Sequence, residues 1–445
     1  MKKVPKKLLP VGLIALLCAV ILTACGKNNT QNNKLPTQSD PTPESITPDT
    51  PQSIVEPPNA SIGLEYRISL DNTQCYITGT GTCTDSHVVI PDKIDGYVVT
   101  SVTSLKGNPY GITAVTIGDT VTSIGREAFS DCPYLETIHL HDSITNIGRM
   151  AFENTQYYKN SANWENGVLY LDNYLLAATK WTEGSCVIRD GTTFIADYAF
   201  QGCDRITSIT IPDSVTTIGS RAFFSCHGLT AVTIPNSVKT IDYEAFSTCN
   251  NLVSVTIPNS VTTIGLEAFY ACKNLSEIAI GNGIESLGSR VFVGTAYYNN
   301  SNNWERTSNF TNDKALYLEN YLIGVHYNSH GHAVKEGTLC IADDVFQQLH
   351  NLKEVYLPDS LRIIPQGLFS NCANLVRVSI GNTIKFFPPR IFSHDRPYTK
   401  TIEITFRGAK AEWEAIEKHT YWYESTDKFI IHCTDGDIVV ETESE

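Results

Sequence analysis

The chain has 445 residues, with 33 Lys and Arg against 47 Asp and Glu, and a formal net charge of -14. This acidic balance argues against nucleic acid as a partner, because phosphate backbones are bound by clustered positive charge. Hydrophobic residues make up 42% and charged residues 18% of the chain, a composition typical of a large soluble body and not of a disordered chain.

The N-terminus predicts export and lipid anchorage. Basic residues precede an apolar run, 8–22, which is too short and too close to the terminus for a membrane helix. The run ends in the letters LTAC, which close on Cys25 and resemble the lipobox of bacterial lipoproteins. We predict a signal peptide at 1–24 and a diacylglyceryl group on Cys25, so that the protein lies at the outer face of a bacterial membrane. A membrane anchor, or cleavage unrelated to Cys25, is the alternative.

The segment 25–61 is predicted to be the lipidated cysteine followed by a tether. It holds seven of the twenty prolines and almost no large apolar residue, so it cannot bury enough surface to offset the entropy of ordering. Such a tether spans roughly 110 Å as polyproline II and lifts the following domain clear of the lipid.

The rest of the chain repeats every 23 residues. Four segments align without gaps from Ile206, Leu229, Leu252 and Leu275. The same phase begins at six further positions: Ile112, Leu135, Glu183, Ser329, Leu352 and Leu375. Such a period predicts a solenoid. We assign it to 112–397, between an N-terminal β cap with a degenerate repeat, 62–111, and a C-terminal cap and tail, 398–445.

Each repeat predicts the same local structure. In L-x-x-V-T-I the first, fourth and sixth residues point inward and form a short strand, and a following proline ends it. The extended S-V-T-T-I segment returns along another side, and a glycine precedes a short helical turn that ends in Ala-Phe. The phenylalanines are expected to fill one core column: Phe129, Phe200, Phe223, Phe246, Phe269, Phe346, Phe369 and Phe392.

This unit, similar to L-x-x-V-x-I-P-x-S-V-x-x-I-G-x-x-A-F-x-x-C, resembles the BspA-like leucine-rich repeats of bacterial surface proteins. The resemblance covers 112–397 outside two insertions. It implies an α/β fold, a right-handed and horseshoe-like leucine-rich-repeat solenoid with short parallel strands, located on the cell surface. It also implies adhesion to proteins or to other cells, and it brings no catalytic motif.

Two insertions, 158–182 and 298–328, leave the repeat at the same phase and share a pattern. The motifs LYL-DN-YL and LYL-EN-YL predict β-hairpins with two-residue turns. Because both enter at one phase, we expect them to project from one edge as a binding rim. Its candidate contacts are Trp164, Tyr170, Tyr174, Trp304, Tyr317 and Tyr321. The alternative is that the two tryptophans only seal the insertions onto the coil.

The strand face of the solenoid, expected to be concave, carries a second set of candidates. Its middle is lined by small residues such as Thr233 and Thr256, which favour strand pairing more than recognition. Tyr356 and Arg377 bring to the C-terminal third the residue types that dominate interfaces.

Cysteines occur at one repeat position in six coils: Cys132, Cys203, Cys226, Cys249, Cys272 and Cys372. Neighbouring coils place their Cα atoms about 5 Å apart, but their Cβ vectors run parallel, so we predict buried free thiols. Cys75 and Cys83 flank a stretch of the N-terminal cap, where a disulfide and two free thiols are both open.

No G-x-S-x-G, H-E-x-x-H or phosphate-binding loop occurs. His326, His330 and His332 are expected to form an exposed polar loop and not a metal site. We therefore predict a non-catalytic protein without cofactor or metal, which binds an extracellular protein or glycan and touches the membrane only through its lipid. A structural or cell-aggregation module, or an enzyme using the inserted loops, is the alternative.

Overall fold

The computed structural model describes residues 60–106, 111–310 and 313–441. In these ranges the chain winds into successive coils, most of which have a strand on a first face and a short strand on a second face; the coil from Leu352 lacks the second-face strand. Equivalent residues of adjacent coils pair in parallel: Thr210 lies beside Thr233, and Thr233 beside Thr256. This register equals the 23-residue repeat, and the predicted solenoid of short parallel strands is confirmed.

The described residues of the N-terminal cap and first coils form nine strands. In chain order these are β1 (Glu65–Ile68), β2 (Gln74–Gly79), β3 (His87–Val89), β4 (Lys93–Ile94), β5 (Tyr97–Val102), β6 (Ala114–Thr116), β7 (Ser123–Ile124), β8 (Thr137–His139) and β9 (Asn146–Ile147). On the first face β3, β6 and β8 pair in that order, and on the second face the order is β1, β2, β5, β7, β9.

The middle part begins with the first insertion. Its elements are α1 (Gln156–Lys159), β10 (Trp164–Glu165), β11 (Val168–Leu171), β12 (Tyr174–Ala178), β13 (Gly184–Val187), β14 (Phe194–Ile195), β15 (Ile206–Thr210), β16 (Thr217–Ile218), β17 (Ala231–Thr233), β18 (Thr240–Ile241), β19 (Ser254–Ile257), β20 (Thr263–Ile264), β21 (Glu277–Ile280) and β22 (Ser286–Leu287). The first face here runs from β13 to β21, and the second face runs from β10 to β22.

The C-terminal part begins with the second insertion. Its elements are α2 (Ala296–Asn299), β23 (Trp304–Arg306), β24 (Lys314–Leu318), β25 (Tyr321–Val325), β26 (Gly331–Ala333), β27 (Cys340–Ile341), β28 (Glu354–Tyr356), β29 (Arg377–Ile380), β30 (Phe386–Phe387), β31 (Phe392–Phe406), α3 (Lys410–Ala415), β32 (Glu417–Lys418), β33 (Tyr423–Cys433) and β34 (Gly436–Glu441). The first-face sheet starts again at β26 and continues into the C-terminal cap.

The third side of each coil is not helical, and the prediction of short helical turns is wrong for the repeats. In the coil from Ile206, Arg221 and Ser225 have φ of 55° and 58°, values that interrupt any right-handed helix. The amide of Arg221 donates to the Tyr243 carbonyl of the next coil at 2.8 Å, and that of Phe223 donates to Ala245 at 2.7 Å. Alternate amides on this side therefore bond to the next coil, while those of Ala222 and Phe224 donate within tight turns to the carbonyls of Gly219 and Arg221.

Stacked phenylalanine rings form the predicted core column. From Phe200 through Phe223, Phe246 and Phe269 to Phe292, ring centroids are 5.0, 4.9, 5.2 and 5.6 Å apart, and adjacent rings are within 12° of parallel. The spacing follows that of neighbouring strands, about 4.8 Å. A single side-chain position, repeated in successive coils, therefore supplies a continuous aromatic stack from Phe200 to Phe292.

The repeat-position cysteines are free and buried, as predicted. Their thiols donate to main-chain carbonyls of the preceding coil: Cys226 Sγ lies 3.1 Å from the Phe200 oxygen, and Cys249 Sγ lies 3.1 Å from the Phe223 oxygen. A small side chain with a weak donor suits this position because it fills the core and satisfies a carbonyl.

These thiols should react slowly in the native protein. Burial raises the pKa of Cys132 and Cys203 to about 12, so on the order of one thiol in ten thousand is ionised at pH 8. Because the thiolate is the reactive species, alkylation followed by mass mapping should label the column only on unfolding, and the half-buried Cys433 earlier. A disulfide between Cys226 and Cys249 in the native protein would contradict this expectation.

The N-terminal cap contains no disulfide between its candidate pair. Cys75 and Cys83 are both buried free thiols, and the Cys75 thiol lies 3.9 Å from the Tyr97 carbonyl. Of the two alternatives left open by the sequence, the structure has the pair of free thiols.

The C-terminal cap closes the last coil with a strand, a short helix and a strand, β31, α3 and β33, in the predicted order. Trp413 and Trp422 are buried there and pack edge-to-face, with ring centroids 6.4 Å apart. They cover the end of the phenylalanine column, since the Trp422 ring lies 6.0 Å from that of Phe392. Their role is cap packing, as expected.

Candidate binding surfaces

The two insertions have the same local architecture. Thr155 and Thr295 occupy the cysteine position of the repeat and cap α1 and α2, each accepting a hydrogen bond at 3.1 Å from the amide three residues on. The predicted hairpins are present: Leu171 pairs with Tyr174 across a two-residue turn, and β24 and β25 form the equivalent hairpin.

The hairpins do not project as a rim. Strand β12 pairs in parallel with β14 of the following coil, and β25 pairs in the same way with β27. Each hairpin is therefore part of the second-face sheet. The buried core also divides into three consecutive clusters that meet at the two hairpins, so the insertions join segments of the solenoid.

Four of the six rim candidates are in the core. Tyr170, Tyr174, Tyr317 and Tyr321 are buried, and the expectation that they contact a ligand is corrected. Their hydroxyls bond to the main chain: Tyr174 donates to the His141 carbonyl at 2.8 Å, and Tyr321 donates to that of Gly281 at 2.8 Å. Burial also raises the pKa of Tyr174 to about 12.

The two tryptophans have a packing role, which was the alternative left open by the sequence. Trp164 and Trp304 are half-buried, and their indole N–H groups donate to the carbonyls of Tyr158 and Tyr298 at 2.7 and 2.9 Å. Each ring also packs edge-to-face on the same tyrosine. The open side of Trp304 lines a cavity of about 790 Å³.

On the first face, the side chains of Tyr356 and Arg377 lie on the adjacent strands β28 and β29. Tyr356 is 42% exposed and stacks on Phe310 with centroids 6.1 Å apart. Arg377 pairs with Glu354, and this bond lowers the pKa of the Glu354 carboxyl. We call Phe310, Tyr356 and Arg377 the aromatic patch. The structure brings the two predicted residues together and adds Phe310. Sequence reasoning missed Phe310 because it lies in an inserted loop outside the repeat.

The histidine cluster is not the exposed loop that the sequence predicted. His332 is fully buried on β26 and lies 3.4 Å from the Thr307 hydroxyl, and burial lowers its pKa to about 4. His330 remains exposed and His326 is half-buried. Among the described residues, no group of three or more His, Cys, Asp or Glu is arranged to hold a metal ion.

A cleft that the sequence did not predict lies where the first insertion meets β13. Its volume is about 620 Å³, and its lining includes Asn166, Tyr170, Trp181, Val187 and Arg189. We call it the edge cleft. Trp181 and Val187 are 73% and 69% exposed. A tryptophan at position 181, just before the repeat that begins at Glu183, is the sequence feature that could have indicated it.

The edge cleft is bordered by paired charges. Arg205 lies 5.0 Å from the centre of the Trp181 ring and 3.4 Å from the Glu183 carboxylate. Arg189 pairs with a second carboxylate, that of Glu165, at 2.8 Å. Because these charges pair with each other, the cleft has a mixed polar and apolar lining without a strong field of one sign.

Parallel coils of 23 residues with a shared hydrophobic column define a leucine-rich-repeat solenoid. Residues 107–186, 193–315 and 333–432 match the BspA type leucine rich repeat region, in 6 copies. The chain therefore belongs to this family, as the sequence resemblance implied. Repeats of this family are generally non-enzymatic.

Solved structures of bacterial leucine-rich repeat proteins are similar to the chain at low identity. A leucine-rich repeat protein of T. pallidum (TpLRR) is 25% identical over 48% of this chain and 88% of that chain, with a TM-score of 0.25. One from Bacteroides ovatus is 22% identical over 83% and 98%, with a TM-score of 0.28. At these scores the whole chains do not superpose, so the assignment rests on the repeat itself.

A comparison with curated proteins gave no significant match. Within the part of the chain that the structure describes, no helix has the length and apolar character needed to cross a bilayer. The predicted signal peptide and Cys25 lie outside the described residues.

Proposed function

We propose that this protein is a non-catalytic binding protein of the bacterial surface, anchored by lipid at Cys25, which recognises an extracellular protein or glycan. The observation that carries the proposal is the aromatic patch. It places two stacked rings and an arginine on a strand face whose middle, at Thr233 and Thr256, offers only small side chains.

The patch has the chemistry of a binding centre. Tyrosine and arginine supply a disproportionate share of interface energy because they combine large contact areas with directed hydrogen bonds. Tyr356 is held by Phe310 on one side and by a 3.1 Å hydrogen bond from its hydroxyl to Glu354. A side chain that is already ordered loses less entropy when a ligand binds.

The test is binding of the full chain to a panel of extracellular matrix proteins and to a glycan array. For a saturable ligand, Tyr356→Ala and Arg377→Ala should each weaken affinity by at least about tenfold. Thr256→Ala is the matched control, because Thr256 holds the register position of Tyr356 on β19, and it should bind as the wild type does.

Three outcomes would overturn the proposal. Full affinity of both patch variants would move recognition to another surface. If no probe binds saturably and the chain instead self-associates, the protein is a structural or cell-aggregation module. Turnover of a matrix protein or glycan by the wild type would favour the enzyme alternative.

Anchorage has its own test at Cys25. Replacing Cys25 by serine removes the thiol that would be acylated, so the protein should be released or remain unprocessed instead of partitioning with membranes. Detergent-phase partitioning of this variant against wild type measures the effect. Equal partitioning of the two would contradict the lipoprotein assignment.

A further inference from the structure

The first-face sheet breaks at each insertion, leaving β13 and β26 as edge strands of the sheets that follow. In the uninterrupted coils, alternate residues of each strand bond to the preceding coil; Thr116, for example, accepts from the Ile90 amide at 2.9 Å. Ser185 and Val187 hold the equivalent positions on β13. Their neighbour Ile188 donates to β15, at Thr210, at 3.0 Å, so the backbone groups of Ser185 and Val187 point to the free edge.

The two edges differ in one decisive respect. At β26 the chain's own loop covers the edge. The Phe310 ring lies so close to Gly331 that a Cβ there would be 2.7 Å from it, and the Ser329 hydroxyl donates to the Gly331 carbonyl at 2.8 Å. Gly331 is buried as a result, whereas Ser185, its equivalent on β13, is exposed.

The cause is the length of one turn. In the second insertion seven residues, 307–313, join β23 to β24, and the Ser308 hydroxyl donates to the buried carboxylate of Asp313. In the first insertion only Asn166 and Gly167 join β10 to β11, both with positive φ. The short turn does not reach β13, and the edge cleft lies between them.

We infer that the edge cleft is a second binding site, which takes an extended segment of a partner protein as an added strand along β13. Ser185 and Val187 supply two N–H donors and two carbonyl acceptors, and an apolar or aromatic side chain of the segment packs on Val187 and Trp181. The occupant is indicated by the second insertion, where a loop of the chain brings an aromatic ring to the same register. Exposed edges accept strands in this way. The site is separate from the aromatic patch.

The experiment is selection of displayed random linear peptides, each of roughly ten residues, against the full chain. Selected peptides should bind saturably. Val187→Pro should lower the affinity for these peptides at least about tenfold, because proline removes an edge donor while leaving the bonds to β15. Ala333→Pro is the matched control, because Ala333 holds the same register position on β26, where the edge is covered. This variant should bind the selected peptides with the affinity of the wild type.

A second variant and a second measurement guard against misfolding of Val187→Pro. Replacing Asn166 and Gly167 by residues 307–313 should cover β13 and abolish peptide binding. In the wild type, bound peptide should slow hydrogen exchange at Ser185 and Val187. Peptides that bind Val187→Pro and the loop graft as tightly as wild type, or no saturable peptide at all, would overturn the inference. If Tyr356→Ala loses peptide binding and the two edge-cleft variants keep it, the peptides bind at the aromatic patch and the inference is overturned.

Discussion

Replacing Phe246 by alanine should lower the free energy of unfolding by about 3–5 kcal/mol. The Phe246 ring is fully buried and stacks on Phe223 and Phe269 at 4.9 and 5.2 Å, so truncation removes contacts on both sides. A solenoid coil touches only its neighbours, so no distant element can fill the space. Urea unfolding followed by circular dichroism measures the loss.

The control for this substitution lies on the strand face of the same part of the solenoid. Thr233→Ala removes an exposed side chain and should change stability by less than about 0.5 kcal/mol. Phe246→Leu, which keeps most of the volume, should cost less than Phe246→Ala. A loss below about 1 kcal/mol for Phe246→Ala would show that the column is not the core that supports the coils.

The second large effect is expected at Tyr321, which fixes the second hairpin to the preceding coil. Its side chain has no exposed surface, and its hydroxyl donates to the Gly281 carbonyl at 2.8 Å and accepts from the Ile284 amide at 3.3 Å. Tyr321→Ala should therefore cost about 3–5 kcal/mol through lost packing. Tyr321→Phe should cost about 1–2 kcal/mol, since it leaves the two backbone groups without their partner.

Tyr327 provides the matched control in the same insertion. It is 71% exposed, and its replacement by alanine should leave the unfolding transition nearly unchanged. If Tyr321→Ala unfolds like the wild type but loses affinity for a ligand of the folded protein, the tyrosine belongs to a binding surface and the packing role is wrong.

Much of the fold follows from local and periodic features of the sequence. The phenylalanine column could be predicted because one position recurs every 23 residues, and stacking is the only way for such a repeat to bury it. The hairpin turn at Asp172 could be predicted because two-residue turns have a strong local preference, and Asp172 has the positive φ they require. The turns on the third side could not, since Arg221 adopts a left-handed conformation through bonds to the next coil.

The candidate sites divide in the same way. Aromatic composition marked the insertions as unusual, but only the pairing of β12 with β14 and of β25 with β27 decided that Tyr174 and Tyr321 face the core. Residue type indicated Tyr356 and Arg377. Their partner Phe310 comes from a loop remote in the chain, which no periodicity connects to them.

By itself the sequence determined the repeat, its two-strand coil, the free thiols of the repeat position and the family, because each of these depends on short-range pattern and on stacking of identical units. The tertiary structure alone decided which aromatic residues are buried, which sheet edge is covered and where the edge cleft opens. The physical reason is that these depend on where an inserted segment finds hydrogen-bond partners. The two otherwise matched turns differ by five residues. The longer one, 307–313, covers β26, and the shorter one, 166–167, leaves β13 open.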